Sequence, residues 1–391
     1  MIPRVRSGLD VLATRLPRFL AGRRVGLLSH PASVSRDLTH AVAVLRRLPR
    51  VRLAALFAPE HGLLGAAQDH AHIGPERDRV TGMPVWSLYG KRLRPEPRWL
   101  RDLDALVVDL QDVGSRYYTF AWTLALAMQA AAELHLPVIV LDRPNPLGGE
   151  RLEGNWPDPR FASFVGLFPL PVRHGLTIAE HAAYMNETHG FGCDLTVVPM
   201  QGWRRSMRWA DTGLPWVAPS PNMPTTDTAL VYPGGCLLEG TNLSEGRGTT
   251  RPFELVGAPY LDGERLAAAL ARRGLPGVRF RPVAFEPAFH KWQGRRCGGV
   301  QVHVTDAERF RSFATYVALI AEARRQGGTR FRWKRPPYEF QWRKLPFDLI
   351  AGEDRLRIAI ERGVGLARLE ASWRSALARF AAARRPFLLY E

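Results

Sequence analysis

The segment Ala58-Pro59-Glu60-His61-Gly62 sets a carboxyl and an imidazole between a proline and a glycine, two residues that stiffen or sharply turn a chain. A carboxyl held rigidly and partly withdrawn from water can exchange a proton near neutrality. Glu60 is therefore the sharpest candidate for a general acid or base, with His61 beside it. Other polar groups follow apolar runs in the same manner: His30-Pro31, then Gln111-Asp112 with Arg116-Tyr117-Tyr118, then Asp142-Arg143-Pro144-Asn145. Asp109 lies inside an apolar run and reads as a buried, hydrogen-bonded core group.

A second region, Glu239 to Glu254, is dense in glycine and hydrogen-bonding side chains, among them Thr241, Asn242 and Glu245. Backbone donors together with Arg247 and Arg251 could cradle an anion there. It is not a P-loop, because no Gly-Lys-Ser/Thr follows. The aromatic residues Trp86, Tyr89, Tyr117, Tyr118, Trp203 and Trp216 recur near these polar groups. That mixture suits a carbohydrate, whose C–H faces pack on rings while its hydroxyls need directed partners. Trp122 is expected in the core. His30, His61, Asp112 and His174 show no metal-ligand spacing, so neither a metal nor another cofactor is expected.

These groups need a scaffold, and the first half of the chain supplies the pattern of one. Short apolar runs at Val25 to Ser29, Val51 to Phe57, Ala105 to Leu110 and Val138 to Leu141 read as strands. They alternate with helical periodicity at Asp37 to Leu48 and Thr119 to His135. A fifth unit pairs a helix at Thr177 to Glu187, opened by a Thr177/Glu180 capping box, with a strand at Leu195 to Val198. Continuous apolar strands separated by helices predict a parallel sheet covered on both faces, an α/β fold. Ligands of such sheets bind beyond the carboxyl ends of the strands, where His30, Glu60, Asp112 and Asp142 fall. No G-x-G-x-x-G follows the first strand, so no dinucleotide is expected.

From Gly202 to Pro259 the texture becomes rich in Gly, Pro, Asn, Ser and Thr with little helical period, and it reads as a long functional loop. A second alternating set follows: helix Asp262 to Arg273, strands Val278 to Phe285 and Val300 to Thr305, and helices Phe310 to Gln326, Leu356 to Arg362 and Leu366 to Ala383. The division is placed near Pro259, giving domains 1–259 and 260–391.

The chain has 391 residues, 46% of them apolar, which excludes disorder. Its net charge of +17 is regional: residues 1–264 carry +2 and residues 265–391 carry +15. Four of its 54 basic residues are lysine, so the excess is almost entirely arginine. Cys193, Cys236 and Cys297 are too scattered for a disulfide framework or zinc cluster. Neither a leader nor a membrane span is visible, and a cytoplasmic location is expected as the chain stands, an exported one if a leader precedes it. No nucleic-acid module is recognised, so the basic region alone would support that partner.

The motifs at Leu56 to Gly62, Asp109 to Thr119 and Leu141 to Gly149 resemble those of the NamZ-type exo-β-N-acetylmuramidases. So do Pro219-Ser220-Pro221-Asn222-Met223 and Glu239 to Asn242 through Phe253-Glu254, and the similarity runs from about Gly8 to Tyr390. The resemblance implies a Rossmann-like domain without dinucleotide, a smaller C-terminal α/β domain and an active site in the cleft between them. It implies release of N-acetylmuramic acid from the non-reducing end of peptidoglycan fragments, with Glu60 as the favoured catalytic residue. Asp112 or the substrate's acetamide would assist at the anomeric centre. The lactyl carboxylate of that sugar gives Arg143, Arg173, Arg247 or Arg251 a task. Arg116, Tyr117, Tyr118, Asp142, Asn145, His174, Asn222, Glu239, Thr241, Asn242 and Glu245 complete the expected binding set. One departure is Ser29-His30, where relatives more often carry Thr-Asn. The competing readings are a hydrolase of another anionic amino sugar and a non-catalytic muropeptide-binding protein.

Overall fold

A computed structural model describes residues 5–14, 18–65, 76–78 and 81–391. Among these, the first sheet consists of β1 (Arg24–Ser29), β2 (Arg52–Ala58), β3 (Glu76–Arg77), β4 (Pro84–Ser87), β5 (Ala105–Asp109), β6 (Val138–Leu141) and β7 (Leu195–Val198). Their order is β3-β4-β2-β1-β5-β6-β7; β3 is an antiparallel edge and the other six run parallel. The strand order reverses between β1 and β5, the arrangement of a Rossmann-like sheet. All side chains of β5 and β6 are buried, as the unbroken apolar runs required.

The helix expected from Asp37 begins only at Ala41, because Leu38 takes a left-handed φ of 60° and His40 caps Val42 N. Helices Phe120–Ala132 and Ile178–Thr188 lie where the periodicity placed them, and the Thr177/Glu180 capping box is formed.

The second sheet is antiparallel, with order β8 (Leu255–Ala258), β10 (Cys297–Val304), β9 (Val278–Phe285). The expected division at Pro259 thus falls one residue beyond a strand that pairs in this second sheet. The stretch read as loop also holds helix Thr226–Gly235 and a 3-10 turn, Cys236–Gly240. Its glycines serve close packing: Gly234 N donates to Ser312 Oγ (2.9 Å), and a Cβ there would stand 2.2 Å from Ser312 O. Helix Ser312–Gly327 can approach only because that Cβ is missing.

One apolar core cluster runs from the first sheet into the second domain, joining Leu28, Val108 and Phe120 to Phe313, Ile320 and Ile350. The last helix, Leu366–Arg384, returns to the first domain, where Arg384 donates to the carbonyls of Gly149, His174 and Gly175. Tyr390 then donates to Asp142 Oδ2 at 2.6 Å. The walls of the cleft are fixed to one another by core and by chain ends. Among the described residues no helix is long and apolar enough to cross a membrane.

Candidate active site

At the end of β2 the chain turns back on itself: Gly62 N donates to Pro59 O, and His61 and Gly62 both take left-handed φ values of 72° and 79°. The turn presents Glu60 and His61 on the wall of a cleft. Glu60 is 7% exposed. Its Oε2 accepts from Thr119 Oγ1 at 2.8 Å, at the N-terminal end of helix Phe120–Ala132. Tyr89 hydroxyl bonds to Glu60 as well and reaches Glu339 at 3.2 and 3.3 Å, so one phenol links two carboxyls. Burial raises the Tyr89 hydroxyl above the ordinary tyrosine range, and both carboxyls push it further.

More of the lining comes from the region after Thr225. Glu239 Oε1 accepts from Arg247 Nη2 (2.8 Å) and Oε2 from Tyr338 hydroxyl (2.7 Å). Arg247 Nη1 donates to Glu245 (2.9 Å), and its guanidinium lies 4.9 Å over the Phe253 ring. Tyr117 and Tyr118 set their rings edge-on to Tyr232, 6.4 and 6.0 Å between centroids, and all three line the cleft with Asn222. Burial raises all three phenols and keeps them neutral donors. The cleft therefore offers carboxyls, one guanidinium, neutral hydroxyls and ring faces.

Of the residues singled out in the sequence, Glu60, His61, Tyr117, Tyr118, Asn222, Glu239 and Arg247 line this cleft together. The others lie outside its described lining, each with its own partners. Asp112 is buried; its Oδ2 accepts from Gly114 N (2.6 Å) and stands 3.8 Å from His174 Nε2. Burial pushes the Asp112 carboxyl up to about 7. His174 is held well below the usual imidazole range by burial. Its Nδ1 accepts from Leu176 N (3.1 Å), which leaves the proton of the neutral ring on Nε2 facing Asp112.

Arg143 grips Asp109 through two nitrogens at 2.5 and 2.8 Å, the hydrogen-bonded core group the sequence suggested. Asp142 accepts from Thr177 and Tyr390 hydroxyls and from Ala179 N. Asn145 bonds Leu176 O and Leu147 N. Arg116 spans to Leu170 O, Ile350 O and Ala351 O, and Arg173 to Glu153 and Leu147 O. Thr241 donates to Leu238 O, Asn242 joins Tyr260 to Arg332 N, and Glu245 sits behind Arg247. Arg251 is exposed beside Glu254. His30, also buried, accepts from Gln111 N at 2.8 Å and so bridges the β1 and β5 ends. No group of three or more His, Cys, Asp or Glu fit to hold a metal occurs among the described residues.

Besides the apolar Val165, the lining residues Tyr232, Tyr338 and Glu339 escaped the sequence reading. Tyr232 was hidden by the loop-like composition of its helix. Glu339 follows Pro336-Pro337-Tyr338, a proline-stiffened carboxyl of the same kind as Pro59-Glu60, and that pattern was a usable signal. Glu339 and Phe340 both have left-handed φ, 43° and 61°, in a tight turn closed by reciprocal Tyr338 and Gln341 bonds.

Compared with known proteins, residues 25–227 match the family "Exo-beta-N-acetylmuramidase NamZ, N-terminal" and residues 230–390 match "Exo-beta-N-acetylmuramidase NamZ, C-terminal". The chain is 44% identical over 389 residues to the peptidoglycan beta-N-acetylmuramidase NamZ of Bacillus subtilis (strain 168), covering 99% of this chain and 92% of that protein. Two DUF1343 family proteins of Bacteroides fragilis NCTC 9343 have similar solved structures. One has a TM-score of 0.90 and 35% identity with both chains fully covered; the other has 0.79 and 28% with 99% of each.

Proposed function

We infer, from a chain that belongs to the exo-β-N-acetylmuramidase NamZ family through both of its domains, that this protein is a peptidoglycan glycoside hydrolase releasing N-acetylmuramic acid. The observation that carries the finer reading is that Glu60 and Arg247 line one cleft, a carboxyl and a guanidinium in reach of one sugar. Glu60 gives its proton to the glycosidic oxygen as the bond to the anomeric carbon breaks. Thr119 and Tyr89 hold the carboxyl in place for that transfer.

Of the four arginines considered for the lactyl carboxylate, Arg247 alone is in the described lining, and it takes that role by charge-assisted hydrogen bonds. Because Asp112 lies outside the lining, assistance at the anomeric carbon falls to the substrate's acetamide oxygen. It bonds to the anomeric carbon as the leaving group departs, closing an oxazolinium ring, and water then attacks that carbon, reopens the oxazolinium to the acetamide and gives a proton back to Glu60. The sugar at the non-reducing end packs on Tyr117, Tyr118 and Tyr232.

The test is turnover of a disaccharide of N-acetylmuramic acid linked to N-acetylglucosamine, whose alkoxide leaving group needs a proton, by wild type and Glu60→Gln, with an N-trifluoroacetylmuramyl version of the substrate alongside. Loss of general-acid catalysis should lower kcat about 10²–10⁴-fold. The fluorinated amide, a poorer nucleophile, should slow the wild type markedly. Near-normal turnover by Glu60→Gln removes Glu60 from the mechanism. An undiminished rate on the fluorinated substrate assigns the assistance to a lining carboxyl instead.

A further inference from the structure

Behind the Arg247 wall one lysine draws a loop together. Lys291 Nζ donates to Leu238 O (2.9 Å), Leu243 O (3.1 Å) and Glu245 Oε2 (2.8 Å). Glu245 is wholly buried; its Oε1 accepts from Arg247 Nη1 at 2.9 Å and lies 3.0 Å from His290 Nδ1. Arg247 continues to Glu239 on the cleft wall at 2.8 Å. Lys291, Glu245, Arg247 and Glu239 thus form a chain of alternating charge that starts in protein and ends in the cleft.

Both chemistry and charge require the first member. Three acceptors surround one nitrogen, which matches the three donors of an ammonium; a planar guanidinium spreads its donors over three nitrogens and cannot converge them there. In a chain with 50 arginines and only four lysines, this position asks for what arginine lacks. In formal charge, the linked groups Glu239, Glu245 and Arg247 sum to −1, and Lys291 brings that chain to zero. Burial opposes the charge on Glu245, yet Lys291, His290 and Arg247 hold its carboxyl well below the usual range.

We propose that Lys291, acting through Glu245, is the positioning residue that aims Arg247 at the substrate's carboxylate and so sets the preference for an acidic sugar. The proposal rests on the assignment of Arg247 to the lactyl carboxylate. It uses no contact between Lys291 and the substrate.

The test compares a chromogenic N-acetylmuramide with its lactyl methyl ester, which keeps the shape and loses the charge, on wild type, Lys291→Met and Lys291→Arg. Melting curves establish that each variant is folded. Wild type should prefer the acid, and both variants should lower the acid-to-ester ratio of kcat/KM by about ten-fold or more, the scale of one charge-assisted hydrogen bond. A purely structural lysine would lower both substrates in parallel and leave the ratio alone. A wild-type ratio in either folded variant overturns the proposal. If Lys291→Met does not fold, Lys291→Arg carries the measurement. A wild type that treats acid and ester alike refutes the Arg247 assignment and this proposal with it, while one that hydrolyses neither refutes the enzymatic reading itself.

Discussion

Asp112 has the type and the place in the sequence of a carboxyl at the catalytic edge of the sheet, and in the fold it lies outside the described lining of the cleft. Its carboxyl caps the turn after β5 through Gly114 N and faces a neutral His174, and burial pushes it up to about 7. An unfolded chain releases that proton near 3.8. Between these values the folded state binds more protons than the unfolded one, so the contribution of Asp112 to stability falls as pH rises from about 4 to about 7 and then levels. Asp142, raised to about 7 by burial against the bonds from Tyr390, Ala179 and Thr177, adds a slope of the same sign. Asp112→Asn keeps an acceptor for Gly114 N and removes one of the two titrations. The stability of the variant relative to wild type should therefore increase between pH 5 and pH 8 in urea unfolding. A difference that does not change with pH contradicts this account.

Elements that bury a continuous apolar strip were legible from sequence, and elements held by partners distant in the chain were not. β6 lies on the predicted residues because it is a short apolar run with one available role, a strand buried within a covered parallel sheet, and β7 lies on them too, pairing beside it at the sheet's edge with only Val198 buried. Helix Thr226–Gly235 was lost because TDTALVYPGG ends in residues that punctuate an isolated segment. In the fold those residues admit helix Ser312–Gly327, a neighbour some 80 positions away that no local pattern discloses. The site divided in the same way: Glu60 stands at the end of a predicted strand, whereas Glu339, though it also follows prolines, belongs to no predicted element and enters the cleft because the second domain folds back against the first. Gly234→Ala tests the packing argument, since its Cβ would stand 2.2 Å from Ser312 O. The expected cost is about 1–3 kcal/mol of unfolding free energy. Because Tyr232 sits on the same helix and lines the cleft, kcat/KM on the muramide should fall too. Unchanged stability would mean that the two helices part at little cost.

At the scale of the molecule the charge is divided as the chemistry is: residues 1–264 carry +2 and residues 265–391 carry +15. Cleft-wall residues Tyr338 and Glu339 and the Lys291 anchor come from the basic part, and exposed arginines flank them, Arg295 and Arg296 after Lys291 and Arg343 after Glu339. An anionic wall fragment approaching that side meets a positive field before it meets the cleft, which raises the rate of encounter without altering the chemical step. Arg368, Arg374 and Arg379 are exposed too, on the last helix, which buries Trp373 and Phe380 and contributes no residue to the described lining of the cleft. Steering predicts that two triple variants of equal charge will differ. Changing Arg295, Arg296 and Arg343 to Gln should lower kcat/KM by up to about ten-fold at low salt and flatten its dependence on ionic strength, with kcat retained. Changing Arg368, Arg374 and Arg379 to Gln should leave both nearly as in wild type. Equal salt dependence in wild type and both variants would mean that the basic excess has no part in capture of the substrate, and that its arginines serve solubility and local ion pairs alone.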